Sequence, residues 1–188
     1  MLSNLPVRRR LAGARSLLVL VLASAVIAAA LHWWRSSSTD PADGGVSGGT
    51  TVDADVPAVE NLDDDLRDAL REAAADAAEE GIEVRVTSGW RSASHQKELL
   101  EQAVAEHGSE AEAARWVPTP DTSPHVTGDA VDIGGAEARA WLARFGAGYG
   151  LCQVYGNEPW HFELRPEAVE DGCPPPYADP THDPRSHS

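Results

Sequence analysis

Apolar positions recur at helical spacing from about Leu62 to Glu80, where Leu62, Leu66, Leu70, Ala73 and Ala77 form one stripe and Gly81 supplies a stop. Directly afterwards Ile82-Glu83-Val84-Arg85-Val86 alternates apolar and polar, the period of a half-buried strand, and delivers Ser88 to Ser92 at its end. A second helix is predicted from a Ser94 cap to about Glu106, closed by Gly108, and Ser109 with Glu112 makes a capping box for a short helix ending near Trp116. Val117–Pro124, with three prolines, reads as a loop. Ala130-Val131-Asp132-Ile133 reads as a short strand, a helix is predicted from about Ala136 to Phe145, and two further strands follow, Leu151–Tyr155 and Trp160–Leu164. Alternation in the last strand places Trp160, Phe162 and Leu164 toward the core, with His161 and Glu163 on the opposite face. Helices mixed with short strands in this order predict an α+β domain, helices packed on a small, mainly antiparallel sheet. The sequence carries no internal repeat.

The flanking segments lack this patterning. Arg8-Arg9-Arg10 and Arg15 precede an apolar stretch from Leu17 to Trp34. At about 18 residues it is near the minimum for spanning a bilayer. It reads as a signal-anchor helix with its basic flank in the cytoplasm or, if cleaved at Ala28-Ala29-Ala30, as a signal peptide. Residues 36–58, rich in Ser, Gly, Asp and Thr, read as a flexible linker with a reach on the order of 25 Å. The folded unit is then 59–173, and the Pro-rich residues 174–188 read as a disordered tail. These divisions predict a single-pass membrane protein with an extracellular domain, or a secreted one.

Charge and cysteine content agree with an exported domain. Of 15 basic residues, five lie before Ser36 where there are no acids, so the rest of the chain sets 10 basic residues against 30 acidic ones, a balance of −20. Such acidity excludes nucleic acid as a partner at long range. The only two cysteines, Cys152 and Cys173, have no CxxC spacing for a metal and are expected to form a disulfide, worth roughly 3 kcal/mol for a loop of about 20 residues.

The chemistry is concentrated in two segments, Ser123-Pro124-His125-Val126-Thr127-Gly128-Asp129-Ala130-Val131-Asp132 and Glu158-Pro159-Trp160-His161. Two imidazoles and one carboxylate make a three-ligand shell that leaves one tetrahedral position open, as catalytic zinc sites require. Glu158, three residues before His161 in a turn set by Pro159, is placed to take a proton from a water there. Gly128 gives the loop carrying His125 the positive φ needed to fold back over the strand end. Singly, each of these residues has a plainer role, such as a solvated loop His, a turn Asp or a surface ion pair for Arg91. Their order and context together favour the metal site, expected at one edge of the sheet. His95, His107, His182 and His187 belong to no such spacing and are expected at the surface, and Glu163 is expected to be structural or exposed.

With Ser-Gly-Trp-Arg-Ser at 88–92, these segments resemble the VanY-type D-alanyl-D-alanine carboxypeptidases of the M15 zinc peptidases over roughly residues 60 to 165. Trp90 stands where that family more often carries Tyr. The resemblance implies the same α+β fold, zinc held by His125, Asp132 and His161, and Glu158 as general base. It also implies that Arg91 stabilises the oxyanion and that Gln96 and Ser123 hold the terminal D-residue. The implied substrate is the peptidoglycan stem peptide or its lipid-linked precursor, which loses D-alanine to a monomeric enzyme. Related chemistries keep the same ligands: an L,D-carboxypeptidase, a D-Ala-D-Ala dipeptidase or an endopeptidase. A non-catalytic zinc-bearing wall-binding module is the reading from a different class, and retention of Glu158 argues against it.

Overall fold

The computed structural model describes residues 40–187, so the anchor or signal segment expected over residues 1–35 lies outside the described residues. Among the described residues no helix is long and apolar enough to cross a membrane. The sheet has five strands, β1 (Thr50–Thr51), β2 (Arg85–Ser88), β3 (Ala130–Gly134), β4 (Leu151–Gln153) and β5 (His161–Leu164), in the order β1-β2-β3-β5-β4. Every neighbouring pair is antiparallel.

Among the described residues seven α-helices accompany the sheet: α1 (Pro57–Glu60), α2 (Asp64–Glu79), α3 (Ala93–His107), α4 (Glu110–Ala113), α5 (Pro124–Thr127), α6 (Ala136–Phe145) and α7 (Ala168–Asp171). Helix α2 realises the predicted stripe, since Leu66, Leu70, Ala73 and Ala77 are all buried. Its start is fixed by Asp63, whose carboxylate accepts from the backbone N–H groups of Asp65 and Leu66. The stripe packs with Val86, Val131, Ile133, Phe162 and Leu142 in one core. Removing a side chain such as Leu66 from a core of this kind costs about 2–5 kcal/mol. Because side chains alternate along a strand, burying Val131, Ile133 and Phe162 there sends Asp132, His161 and Glu163 to the other face.

Several expectations are corrected. The strand expected at Ile82–Val86 is Arg85–Ser88, later by a few residues, and the last two strands are shorter than their apolar runs. Helix α3 is capped by Ser92 rather than Ser94: Ser92 has extended backbone, and its Oγ accepts from the His95 N–H at 3.1 Å. The described part of the expected linker is docked, with a 3₁₀ turn at Pro41–Asp43, β1 paired to β2, and the Asp43 carbonyl accepting from Ser92 N–H at 3.1 Å. Residues 174–187, expected to be disordered, lie against the domain, where Tyr177 bridges to Tyr155 and Asp179 and Asp183 are buried. His95 is buried, with Nδ1 3.1 Å from the Asp43 carbonyl, rather than at the surface.

Cys152 on β4 and Cys173 are joined as a disulfide, with the whole of β5 inside the closed loop. Replacing both cysteines by serine is expected to lower the unfolding free energy by about 3 kcal/mol, read from the denaturant midpoint of the oxidised chain against the double variant. An unchanged midpoint would show that the loop is held by packing alone.

Candidate metal centre and cleft

Asp132 and His161 are direct partners across β3 and β5, so strand pairing alone places a carboxylate beside an imidazole. The group therefore sits over two interior strands, at the first residue of β5. His125 arrives from α5, a single turn begun by Pro124 and ended by Gly128 at φ +86°. A side chain at Gly128 would be strained at that φ, and its Cβ would stand 2.4 Å from the Asn61 carbonyl oxygen, so only glycine fits. From the other side, a register shift in β2 between Val86 and Ser88 turns the chain so that Arg91 N–H donates to the His125 carbonyl at 3.0 Å.

Three atoms converge. His125 Nε2 is 3.2 Å from His161 Nδ1 and 3.4 Å from Asp132 Oδ1, and His161 Nδ1 is 3.3 Å from the same oxygen. All three side chains are buried. The other imidazole nitrogens decide what these atoms can do. His125 Nδ1 lies 2.8 Å from the Gly89 carbonyl, which can only accept, so Nδ1 carries the hydrogen. His161 Nε2 lies 3.1 Å from Glu163 Oε1, and Glu163 is held at about 2 against its burial by hydrogen bonds from His161 and Arg185, so this nitrogen too is the donor. In neutral imidazoles the lone pairs of His125 Nε2 and His161 Nδ1 thus face each other and a carboxylate oxygen.

Three acceptors facing one another require a cation. A tetrahedral zinc ion with bonds of about 2.0–2.1 Å separates its ligands by about 3.3–3.4 Å, which matches the observed triangle. The donor set, two imidazoles and one carboxylate, also suits zinc. Titration behaviour points the same way. Burial lowers His161, but Asp132 and Glu163 overcome it and push the imidazole up to about 9, so a proton is drawn to the place a metal would take. Burial, aided by Arg91, pushes His125 down, while the two imidazoles and Arg91 hold Asp132 well below the carboxylate range despite its burial.

Arg91 closes the other side of Asp132. Its guanidinium donates to Asp132 Oδ2 at 2.8 Å, to Ser88 Oγ at 2.7 Å and to Gln96 Oε1 at 3.1 Å. Asp132 is therefore divided, one oxygen for the arginine and one for the metal position. Gln96 is fully buried, and its Nε2 donates to the Pro118 carbonyl at 2.9 Å, so both ends of its amide are in use. Ser123 is buried with no partner for Oγ, and it borders a small neighbouring cavity beside Tyr155 and Asp183.

Glu158 lies next to the triad, with Oε2 4.0 Å from His161 Nδ1 and a buried, unpaired Oε1. Burial pushes its carboxyl up to about 7, Asp132 adding to the rise while His161 and Arg91 oppose it. These residues floor a cleft of about 540 Å³ whose outer wall is Leu99, Ala103, Trp116, Val117 and Pro118. Trp160, expected in the core, lines this cleft because β5 begins one residue later. His107 is exposed, as expected, and stacks on Trp116 with ring centroids 5.9 Å apart at the cleft. His182 stays largely exposed, beside Asp179 Oδ1 at 2.9 Å. Sequence reasoning missed Glu163 and Arg185, which meet beneath His161. The one available signal was that Glu163 shares a strand face with His161.

A D-alanyl-D-alanine carboxypeptidase of Enterococcus faecalis is 32% identical over 108 residues, covering 44% of this chain. The chain spans only 40% of that relative's length. Among solved structures, a vancomycin-resistance D,D-pentapeptidase VanY crystallised with Zn(II) matches at 29% identity and a TM-score of 0.52, covering 55% of this chain and 72% of that one. VanYB in complex with D-alanine-D-alanine matches at 27% identity and a TM-score of 0.54, covering 59% and 74%. The family model described as VanY, D-alanyl-D-alanine carboxypeptidase, matches residues 59–167, more than half of the chain, and takes in every residue of the triad, Glu158 and Arg91. The chain belongs to the VanY carboxypeptidase family.

Proposed function

We propose that this domain is a zinc-dependent D,D-carboxypeptidase that removes the C-terminal D-alanine from peptidoglycan stem peptides. The observation that carries the reading is a buried triangle of two imidazole nitrogens and one carboxylate oxygen with tetrahedral spacing, adjoined by a buried carboxylate whose Oε1 has no partner. The similar VanY enzymes, one crystallised with Zn(II) and one bound to D-alanine-D-alanine, support the metal and the substrate class.

When bound, a zinc ion supplies Lewis acidity and a water of lowered pKa. Glu158, whose Oε2 lies 4.0 Å from His161 Nδ1, would take the proton of an attacking water and return it to the departing amine. Arg91 spends three of its five N–H donors on Ser88, Gln96 and Asp132. Arg91 lines the cleft, where a carbonyl oxygen gaining negative charge would accept from its remaining donors. Gln96 contributes by holding Arg91 in place, whereas Ser123 lines the neighbouring cavity rather than the cleft. The apolar outer wall, Leu99 to Pro118, seats the stem upstream of the scissile bond. An exported, membrane-tethered or secreted chain would meet this substrate outside the cell.

Two outcomes follow. The purified chain is expected to bind one zinc per molecule by metal analysis and to release D-alanine from a muramyl pentapeptide. Chelation should abolish release and zinc should restore it, and His161→Ala should lose both metal and activity. Release from a tetrapeptide but not a pentapeptide would instead assign an L,D-carboxypeptidase. Separately, Glu158→Gln is expected to retain stoichiometric zinc while kcat/KM falls by about 100- to 10,000-fold. Full activity in that variant would remove Glu158 from the mechanism.

A further inference from the structure

Beneath His161, on the side away from the cleft, the C-terminal segment reaches the metal centre. Glu163 is 1% exposed, and its Oε1 takes the His161 Nε2 hydrogen. The same carboxylate is gripped by Arg185, one guanidinium nitrogen donating to Oε2 at 2.7 Å and the other to Oε1 at 3.2 Å. Arg165 adds a donor to Oε2 at 2.7 Å. A two-pronged contact fixes the plane of a carboxylate, whereas the single contact from Arg165 leaves it free to rotate about the bonded oxygen.

Arg185 is itself held. It sits in the 3₁₀ turn Pro184–His187 and is bonded through Nε and a terminal nitrogen to Asp183, a fully buried carboxylate. Asp183 also accepts from the Tyr155 hydroxyl at 3.1 Å, and the Tyr155 ring packs against the His161 imidazole with centroids 4.9 Å apart. Two routes therefore run from Arg185 to one imidazole, one ending at its Nε2 and one at its ring face. Farther back, the same segment lies along the residues leading to Glu158: Tyr177 N–H donates to the Val154 carbonyl at 2.9 Å and Gly156 N–H to the Tyr177 carbonyl at 2.7 Å. Arg115 ties it from outside through Asp179 at 3.0 Å.

We propose that Arg185 is a positioning residue for the metal centre, clamping Glu163 so that the His161 imidazole is fixed with Nδ1 aimed at Asp132 and His125. This rests on the reading of His161 as a zinc ligand. Partners that orient a ligating histidine set metal affinity as well as geometry. Lysine at 185 would keep the charge but lose the fork, so charge and orientation can be separated.

The test uses the full chain with Arg185→Ala, Arg185→Lys, Glu163→Gln and Arg115→Ala. Zinc affinity is read by competition with a chromophoric chelator, and site geometry by the visible absorption of the cobalt(II)-loaded protein. Arg185→Ala is expected to weaken zinc binding about tenfold and to change the cobalt bands. Arg185→Lys and Glu163→Gln should shift both readouts the same way, and they carry the test if the alanine variant does not fold. Arg115→Ala, which loosens the segment without touching Glu163, should match the unaltered chain. Unchanged zinc affinity and cobalt spectrum in the Arg185 variants, or an equal loss in Arg115→Ala, would overturn the positioning role. If the unaltered chain bound no zinc, the metal reading would fall first and this inference with it.

Discussion

Two imidazole nitrogens and a carboxylate oxygen, none carrying a proton in the neutral imidazole form, are held within 3.2–3.4 Å of one another, and the domain around them keeps them there against their mutual repulsion. The pairing of β3 with β5 fixes two of the three by register. The third depends on one turn of helix whose exit needs a glycine. Neither constraint would suffice if the rings could rotate, so the Gly89 carbonyl and Glu163 take the outward hydrogens and leave the inward lone pairs bare. Holding charge-seeking atoms together in a buried place costs free energy, which a divalent cation returns on binding. The core on the far face of the sheet, where α2 packs on Val131, Ile133 and Phe162, supplies the rigidity that makes this possible.

Asp132 shows how neighbouring charges divide the work. Arg91 occupies one carboxylate oxygen, which keeps the aspartate ionised in a buried site and leaves a single oxygen for the metal position. Arg91 is in turn held by Ser88 and Gln96, so the cation beside the reacting centre is fixed from three directions. Glu158 has the opposite environment, with a buried oxygen and no donor, which suits a group that must gain and release a proton. Two carboxylates beside the same imidazole thus behave differently because one accepts a hydrogen bond from the guanidinium and the other does not.

The elements that sequence made legible are those set by local pattern: the α2 stripe, the alternation in β3 and β5, and the helix cap at Ser109. The triad was legible because its spacing within two short segments leaves few other uses for two histidines and an aspartate. What escaped depends on contacts distant in sequence. Ser92 and Ser94 are equivalent as caps until the Asp43 carbonyl takes the Ser92 N–H, some fifty residues away. Glu163, alternating with Phe162, reads as structural or exposed; it is buried, and one of its partners, Arg185, lies more than twenty residues downstream. A Pro-rich stretch and a Gly-rich stretch have no periodicity of their own, so their order, borrowed from the domain, leaves no trace in composition.

The disulfide and the C-terminal turn give the domain a boundary that homology alone does not draw. The family model matches residues 59–167, yet Cys173 and Arg185 lie beyond that range and β1 lies before it. Both outer segments attach to the matched region at its working parts: Asp43 beside the start of α3, Arg185 beneath His161. The inherited unit and the mechanical unit are therefore different lengths of chain. Grafting the matched region alone onto another protein would transfer the ligands without the frame that aims them.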